Sequence, residues 1–143
     1  MLIMICYNLF IYVSTRDISY IYYVGTVLFL HLGVFYTAYT GNIYLTYRFD
    51  FLAPAFTIGA KIIGVFFLIE FGRTFLNIKE KNKMLDLFLK YLAFLNLLIL
   101  ILIFVPSIHL SSINQFNNIF VIIVMPTLVF YSGFLVMKGH HYA

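Results

Sequence analysis

Five apolar blocks, separated by short polar stretches, make up most of this chain. The four later blocks run from Tyr20 to Tyr39, Phe51 to Gly72, Leu87 to Val105 and Phe116 to Met137. Each has about the 20 residues that an α-helix needs to cross the roughly 30 Å hydrocarbon core of a bilayer. The first block, Met1 to Val13, gives only about 20 Å of helix, so it either lies in the interface or is the clipped end of a longer helix.

Composition favours the same class of protein. Hydrophobic residues make up 64% of the chain and charged residues 10%, whereas a soluble domain has about 25% charged residues. Such a chain lacks the polar groups that a water-exposed surface requires. We therefore predict an all-α, polytopic transmembrane helix bundle without a soluble domain in residues 1–143. It has about five helices, at about 1–13, 19–39, 51–76, 86–105 and 116–138.

The basic residues between the blocks predict an orientation. One side would carry seven of them, namely Arg16, Arg73, Lys79, Lys81, Lys83, Lys90 and Lys138. The other side would carry Arg48, while Lys61 lies inside a block. Because cytoplasmic loops are rich in Lys and Arg, we expect residues 14–18, 73–86 and the C-terminus in the cytoplasm. Residues 40–50 and 106–115 would then be periplasmic.

Five of these residues are the expected topology anchors, which anionic lipids of the inner leaflet attract: Arg16, Lys79, Lys81, Lys83 and Lys138. The lipid bilayer is thus an expected partner. Nucleic acid is not expected, because the basic residues lie between apolar blocks and do not line a polar helix face.

Three stretches of the sequence are similar to a known family. They are "YNLFIYVSTRDISYIYYV" (Tyr7 to Val24), "FLIEFGRTFLNIKEKNKMLDLFLKYL" (Phe67 to Leu92) and "MKGHHYA" (Met137 to Ala143). They resemble the first-to-second helix junction, the third-to-fourth helix junction and the approach to the sixth helix of bacterial seven-transmembrane receptors with diverse intracellular signalling modules. The resemblance covers essentially the whole chain. It implies a fragment that begins within helix one and stops before helix six.

The resemblance also implies a function. Such a region relays an extracytoplasmic signal through the bacterial inner membrane to a cytoplasmic output domain. That domain is a histidine kinase, a diguanylate cyclase or a phosphatase in the family, and this chain contains none of them. The partner that the resemblance implies is this output domain. A homodimer is a further expected assembly. No enzymatic activity is expected of the chain itself.

Two other classes of function stay open. A small transporter or channel subunit would use His31, Lys61 and Glu70 as a polar pathway, although Glu70 lies roughly 13 Å along the helix from Lys61. A membrane scaffold subunit would have no ligand of its own.

Ionisable residues inside the blocks are the candidate intramembrane polar site. Lys61 lies at a depth of roughly 12 Å from the outer end of its helix, and His31 lies at a similar depth in the preceding block. Lys61 can snorkel to the headgroups, and His31 can be a neutral, hydrogen-bonded residue. Alternatively, the two approach each other and form a ligand-binding or proton-sensing pair.

Polar residues elsewhere suggest structural roles. Glu70 and Arg73 are spaced i, i+3 and can meet on one helix face, as an anchor or as a signalling latch. Asn8 and Asn96 are candidates for hydrogen bonds between helices. Pro126 predicts a helix kink.

Catalytic, cofactor and metal sites are not expected in this chain. The blocks contain no paired carboxylates, no nucleophile with a base at a defined spacing and no glycine-rich phosphate loop.

Overall fold

The computed structural model describes residues 2–40, 52–105 and 109–138, which form helices joined by short turns. The helices are α1 (Leu2–Thr15), α2 (Ser19–Thr40), α3 (Leu52–Phe75), α4 (Ile78–Lys81), α5 (Lys83–Leu102) and α6 (Leu110–Met137). No strand occurs in these ranges, and the all-α prediction is confirmed. The predicted loop 40–50 lies outside the described residues except for Thr40, as do Arg48 and the segment after Lys138.

Three helices are long and apolar enough to cross a membrane. They are Ala55–Phe75 within α3, Lys83–Leu102 and Leu110–Met137. The apolar stretches Leu2–Thr15 and Ser19–Val34 are shorter. Length and hydropathy thus make this an integral membrane protein, as the sequence predicts.

Two helices start earlier than the apolar blocks indicate. α5 begins at Lys83, before the expected residue 86, because the side-chain oxygen of Asn82 caps it and accepts a hydrogen bond from the Leu85 amide at 3.1 Å. α6 begins at Leu110 and has 28 residues, so residues 110–115, which precede the expected start near 116, are already helical. Hydropathy indicates which residues can lie in the hydrocarbon core of the membrane. A helix can begin before that core, because its start is determined by backbone hydrogen bonds and capping.

The central element of the bundle is α3, which packs against α2, α4, α5 and α6. α2 and α3 are antiparallel neighbours, as expected: the Tyr23 ring lies 5.5 Å from that of Phe71, and the Phe29 ring lies 5.6 Å from that of Phe67. Close approach of this pair depends on Gly64. A Cβ there would lie 2.8 Å from Cδ2 of Leu30 and 3.1 Å from its backbone nitrogen.

Buried apolar side chains form two clusters around α3. The small cluster consists of Ile58, Ile62, Ile103 and Ile113. The large cluster consists of Val65, Ile69, Leu76, Ile78, Leu89, Ala93, Val124, Leu128 and Leu135. The large cluster includes residues of α3, α5 and α6, and the small cluster joins α3 and α6 to Ile103, which directly follows α5. These three helices therefore share one core.

Candidate functional site

The last turns of α3 carry an arginine held between two carboxylates. Nη1 of Arg73 donates to Oε1 of Glu70 at 2.5 Å, and Nε of Arg73 donates to Oδ1 of Asp86 at 2.9 Å. Glu70 is on α3, one turn before Arg73, while Asp86 is on α5. The guanidinium therefore ties two helices together, and it uses separate nitrogens for the two carboxylates.

The turn between α3 and α5 explains why Asp86 faces Arg73. α3 ends ahead of Asn77, whose left-handed backbone (φ 49°) reverses the chain, and the Asn77 side chain donates to Oε2 of Glu80 at 2.7 Å. Asn82 then caps α5. Arg73 thus lies in the last turn of one helix and Asp86 in the first turn of the next, where the helix dipoles favour those charges.

This three-residue group, Glu70, Arg73 and Asp86, is shielded from solvent. Its side chains are 18%, 16% and 17% exposed respectively, and apolar residues of the large cluster, Leu76 and Ile78, follow closely in the chain at 5% and 0% exposure. Charges in such surroundings interact more strongly than surface pairs, because less water screens them. The group is a charge link between helices and lacks a nucleophile.

The five expected topology anchors share the end of the bundle where Arg73 lies. The turn with Arg16 precedes α2, whose Tyr23 packs on Phe71 of α3, and Lys138 follows α6, whose Leu135 joins the large cluster. Lys79, Lys81 and Lys83 lie in α4 and at the start of α5. All five are exposed, and Nζ of Lys138 lies 4.5 Å from the centroid of the Phe134 ring. We call this end the Arg73 end.

His31 and Lys61 stand at a similar level of the α2–α3 pair without a hydrogen bond between them in the described structure. The His31 ring is exposed, and its Nδ1 lies 2.9 Å from the carbonyl oxygen of Val27 in its own helix. Lys61 is half-buried, and its stem covers Gly33, where a Cβ would lie 2.8 Å from Cγ of Lys61. The structure therefore places the lysine stem against α2 and the imidazole on the outside of the bundle.

The other polar residues within the helices have different partners. Nδ2 of Asn96 donates to the carbonyl oxygen of Ile62 on α3 at 2.7 Å, which confirms the expected bond between helices. Nδ2 of Asn8 instead donates to the carbonyl oxygen of Met4 in its own helix. Pro126 lies inside α6, and the hydroxyl of the adjacent Thr127 donates to the carbonyl oxygen of Ile123 at 2.7 Å.

Sequence reasoning found the Glu70–Arg73 pair and missed Asp86. The sequence contains a signal that would have found it: Asn82 is followed four positions later by the acidic Asp86. This pattern marks a helix start with an acid in its first turn. Within the described ranges, no three His, Cys, Asp or Glu side chains gather closely enough to hold a metal ion.

Comparison with known protein families identifies a relationship along the chain. A family model described as "7TM diverse intracellular signalling" matches residues 1–143, the full length of the chain. No curated protein and no solved structure matches significantly. The similarity that three stretches of sequence indicate is thus supported by a match along the whole chain.

Proposed function

Because the chain belongs to the 7TM diverse intracellular signalling family, we propose that it is the signal-relay region of a bacterial sensor receptor. Family and hydropathy together make it a transmembrane signalling region. In the proposal, it couples an extracytoplasmic signal to a cytoplasmic output domain with histidine kinase, diguanylate cyclase or phosphatase activity. Catalysis is assigned to that output domain and not to this chain.

The observation that carries the proposal is the bridge from Arg73 to Asp86. A relay needs an element that touches its neighbours and transmits displacement between them. α3 packs against four other helices, and its Arg73 is joined to α5 by a partly buried ion pair. A shift of α3 therefore acts directly on α5 at the Arg73 end.

The orientation in this proposal puts the Arg73 end in the cytoplasm. The support is the shared position of Arg16, Lys79, Lys81, Lys83 and Lys138 at that end, since cytoplasmic loops are enriched in basic residues. Lys138 follows α6 there. An output domain attached beyond α6 would lie on the same side as the Arg73–Asp86 bridge, next to the helix ends that move.

The proposed partners follow from this placement. The exposed lysines of α4 and the start of α5 would contact anionic headgroups of the inner membrane, and the output domain would be joined on the cytoplasmic side. A homodimer and a stimulus-sensing role of His31 and Lys61 are further parts of the proposal.

A fusion of the full chain to a diguanylate cyclase tests the relay. The fusion is expressed in bacterial membranes, and cyclic dinucleotide is measured per molecule of fusion. Asp86→Asn weakens the α3–α5 bridge and is expected to change the output severalfold. Glu80→Gln is the matched control, because Glu80 is an exposed acid of the same turn that accepts a hydrogen bond from Asn77 and not from Arg73. Equal output from the parent, Asp86→Asn and Glu80→Gln fusions would contradict the proposal.

A further inference from the structure

Two asparagines are buried in the core between α3, α5 and α6. Asn96 of α5 is 0% exposed and Asn117 of α6 is 2% exposed. Both lie among apolar side chains, on helices long enough to cross a membrane. Residues of this type are uncommon in such surroundings, because their amides need hydrogen-bond partners that hydrocarbon does not offer.

Along their helices, both asparagines fall between the two apolar clusters. Asn96 of α5 falls between Ala93 of the large cluster and Ile103 of the small cluster, the residue that directly follows α5. On α6, Asn117 falls between Ile113 of the small cluster and Val124 of the large cluster. α5 and α6 thus run antiparallel, and each asparagine lies in the stretch between the two clusters.

Their hydrogen bonding is incomplete. The amide of Asn96 donates to the carbonyl oxygen of Ile62. The Oδ1 atoms of Asn96 and Asn117 are buried, and no described residue donates a hydrogen bond to either. A buried acceptor without a donor is unfavourable, so an arrangement that supplies a donor competes with the one described here. Each asparagine carries an amide that the oxygen of the other could accept.

We propose that α6 has a second arrangement, in which Nδ2 of Asn117 donates to Oδ1 of Asn96. Exchange between the two arrangements is the switch of the relay. The assignment to signalling rests on the proposed function, whereas the existence of two arrangements rests on the asparagines alone. One hydrogen bond between membrane helices shifts such an equilibrium by only about threefold on average, so we expect both arrangements to be populated and a weak stimulus to shift them.

The switch is connected to the Arg73 end through α6. Leu128 packs so closely over Gly72 that a Cβ at Gly72 would lie 2.5 Å from Cδ1 of Leu128, and Gly72 immediately precedes Arg73. Pro126 lies between Asn117 and Leu128 and removes one backbone hydrogen bond from α6. A displacement of α6 at Asn117 therefore reaches the residue next to the Arg73–Asp86 bridge, through a helix that bends more easily than its neighbours.

Distance measurements between α5 and α6 test the proposal. Spin labels are placed at Tyr91→Cys on α5 and Val129→Cys on α6, which are 61% and 64% exposed, in the full chain with the exposed Cys6 replaced by Ser. Pulsed electron–electron double resonance in lipid nanodiscs is expected to show two populations of the distance between the labels. Asn117→Leu removes the donor and should leave one population.

Two further variants make the result decisive. Asn96→Leu removes the acceptor from the other helix and must also leave one population. Asn118→Leu is the matched control, because Asn118 is the exposed neighbour of Asn117, and it should keep both populations in the parent ratio. Circular dichroism verifies that each variant is helical.

The opposite results would overturn the proposal. They are a single population in the parent, or two populations that persist in either Asn117→Leu or Asn96→Leu. Because the measurement involves no output domain, such a result would leave the proposed relay function standing. A failure of the cyclase fusion assay would in turn leave the two arrangements standing.

Discussion

Replacing Asp86 by Asn removes one of the two carboxylates that hold Arg73, while the size of the side chain stays the same. Exposed ion pairs contribute about 0.2–1 kcal/mol, and breaking a fully buried pair costs about 3–5 kcal/mol. The side chains of Arg73 and Asp86 are 16% and 17% exposed, which is between these limits. Glu70 still neutralises Arg73 in the variant, so we expect a loss of about 1–2 kcal/mol in the free energy of unfolding.

The same substitution should have the opposite sign when Arg73 is absent. Arg73→Gln leaves Glu70 and Asp86 facing each other without a cation. Like charges a guanidinium's width apart repel by about 2–3 kcal/mol at an effective dielectric constant near 20. Arg73→Gln is therefore expected to be the most destabilising single change in the group. Adding Asp86→Asn to it should restore stability, because one uncompensated charge disappears.

A double-mutant cycle measures this reversal. The parent, both single variants and the double variant are unfolded in mixed micelles with increasing sodium dodecyl sulfate, and helicity is followed by circular dichroism. Glu80→Gln serves as the control and should match the parent, since Glu80 is exposed and its carboxylate accepts a hydrogen bond from Asn77. If Asp86→Asn destabilises the protein equally with and without Arg73, the bridge carries no coupling and the reasoning is refuted.

Three other predictions concern topology and packing. Reporter fusions at Asn82 and Asn114 should report cytoplasm and periplasm respectively, and the reverse result would overturn the proposed orientation. Gly64→Ala should lower stability by about 1–3 kcal/mol, because the new methyl group meets Leu30. Gly133→Ala, which meets nothing within 4 Å, should have no such cost in the same unfolding assay. Asn82→Ala should cost about 0.5–2 kcal/mol through loss of the α5 cap, and an unchanged midpoint would argue against that cap.

Hydropathy predicts the helices of this protein well and their rotation poorly. α2 is apolar on all sides, so its sequence does not indicate which face is buried. The His31 ring lies on the exposed side of α2, although its expected depth in the membrane suggested an approach to Lys61. Charged residues at helical spacing would have indicated which face of the helix is exposed, and α2 contains no Asp, Glu, Lys or Arg.

Charge placement predicts local pairs and misses partners on other helices. Glu70 and Arg73 are one turn apart on a single helix, so their contact follows from helix geometry alone. Asp86 reaches Arg73 only because the left-handed Asn77, the short α4 and the Asn82 cap reverse the chain within a few residues. Composition of the segment suggests a solvated turn, and the exact path of that turn decides which carboxylate meets the guanidinium.

The hydrogen bond from Asn96 to Ile62 constrains the residue at position 96 more than the residue at position 62. Its acceptor is a backbone carbonyl oxygen, which any residue at position 62 would still provide. Substitution at position 62 is therefore not limited by this hydrogen bond. It is limited by the size of the side chain, since that side chain is 0% exposed. Position 96 has no such freedom, because the donor belongs to the side chain. An engineer who redesigns this bundle can thus vary the α3 side of the contact with any apolar residue of suitable size, provided that the asparagine on α5 is kept.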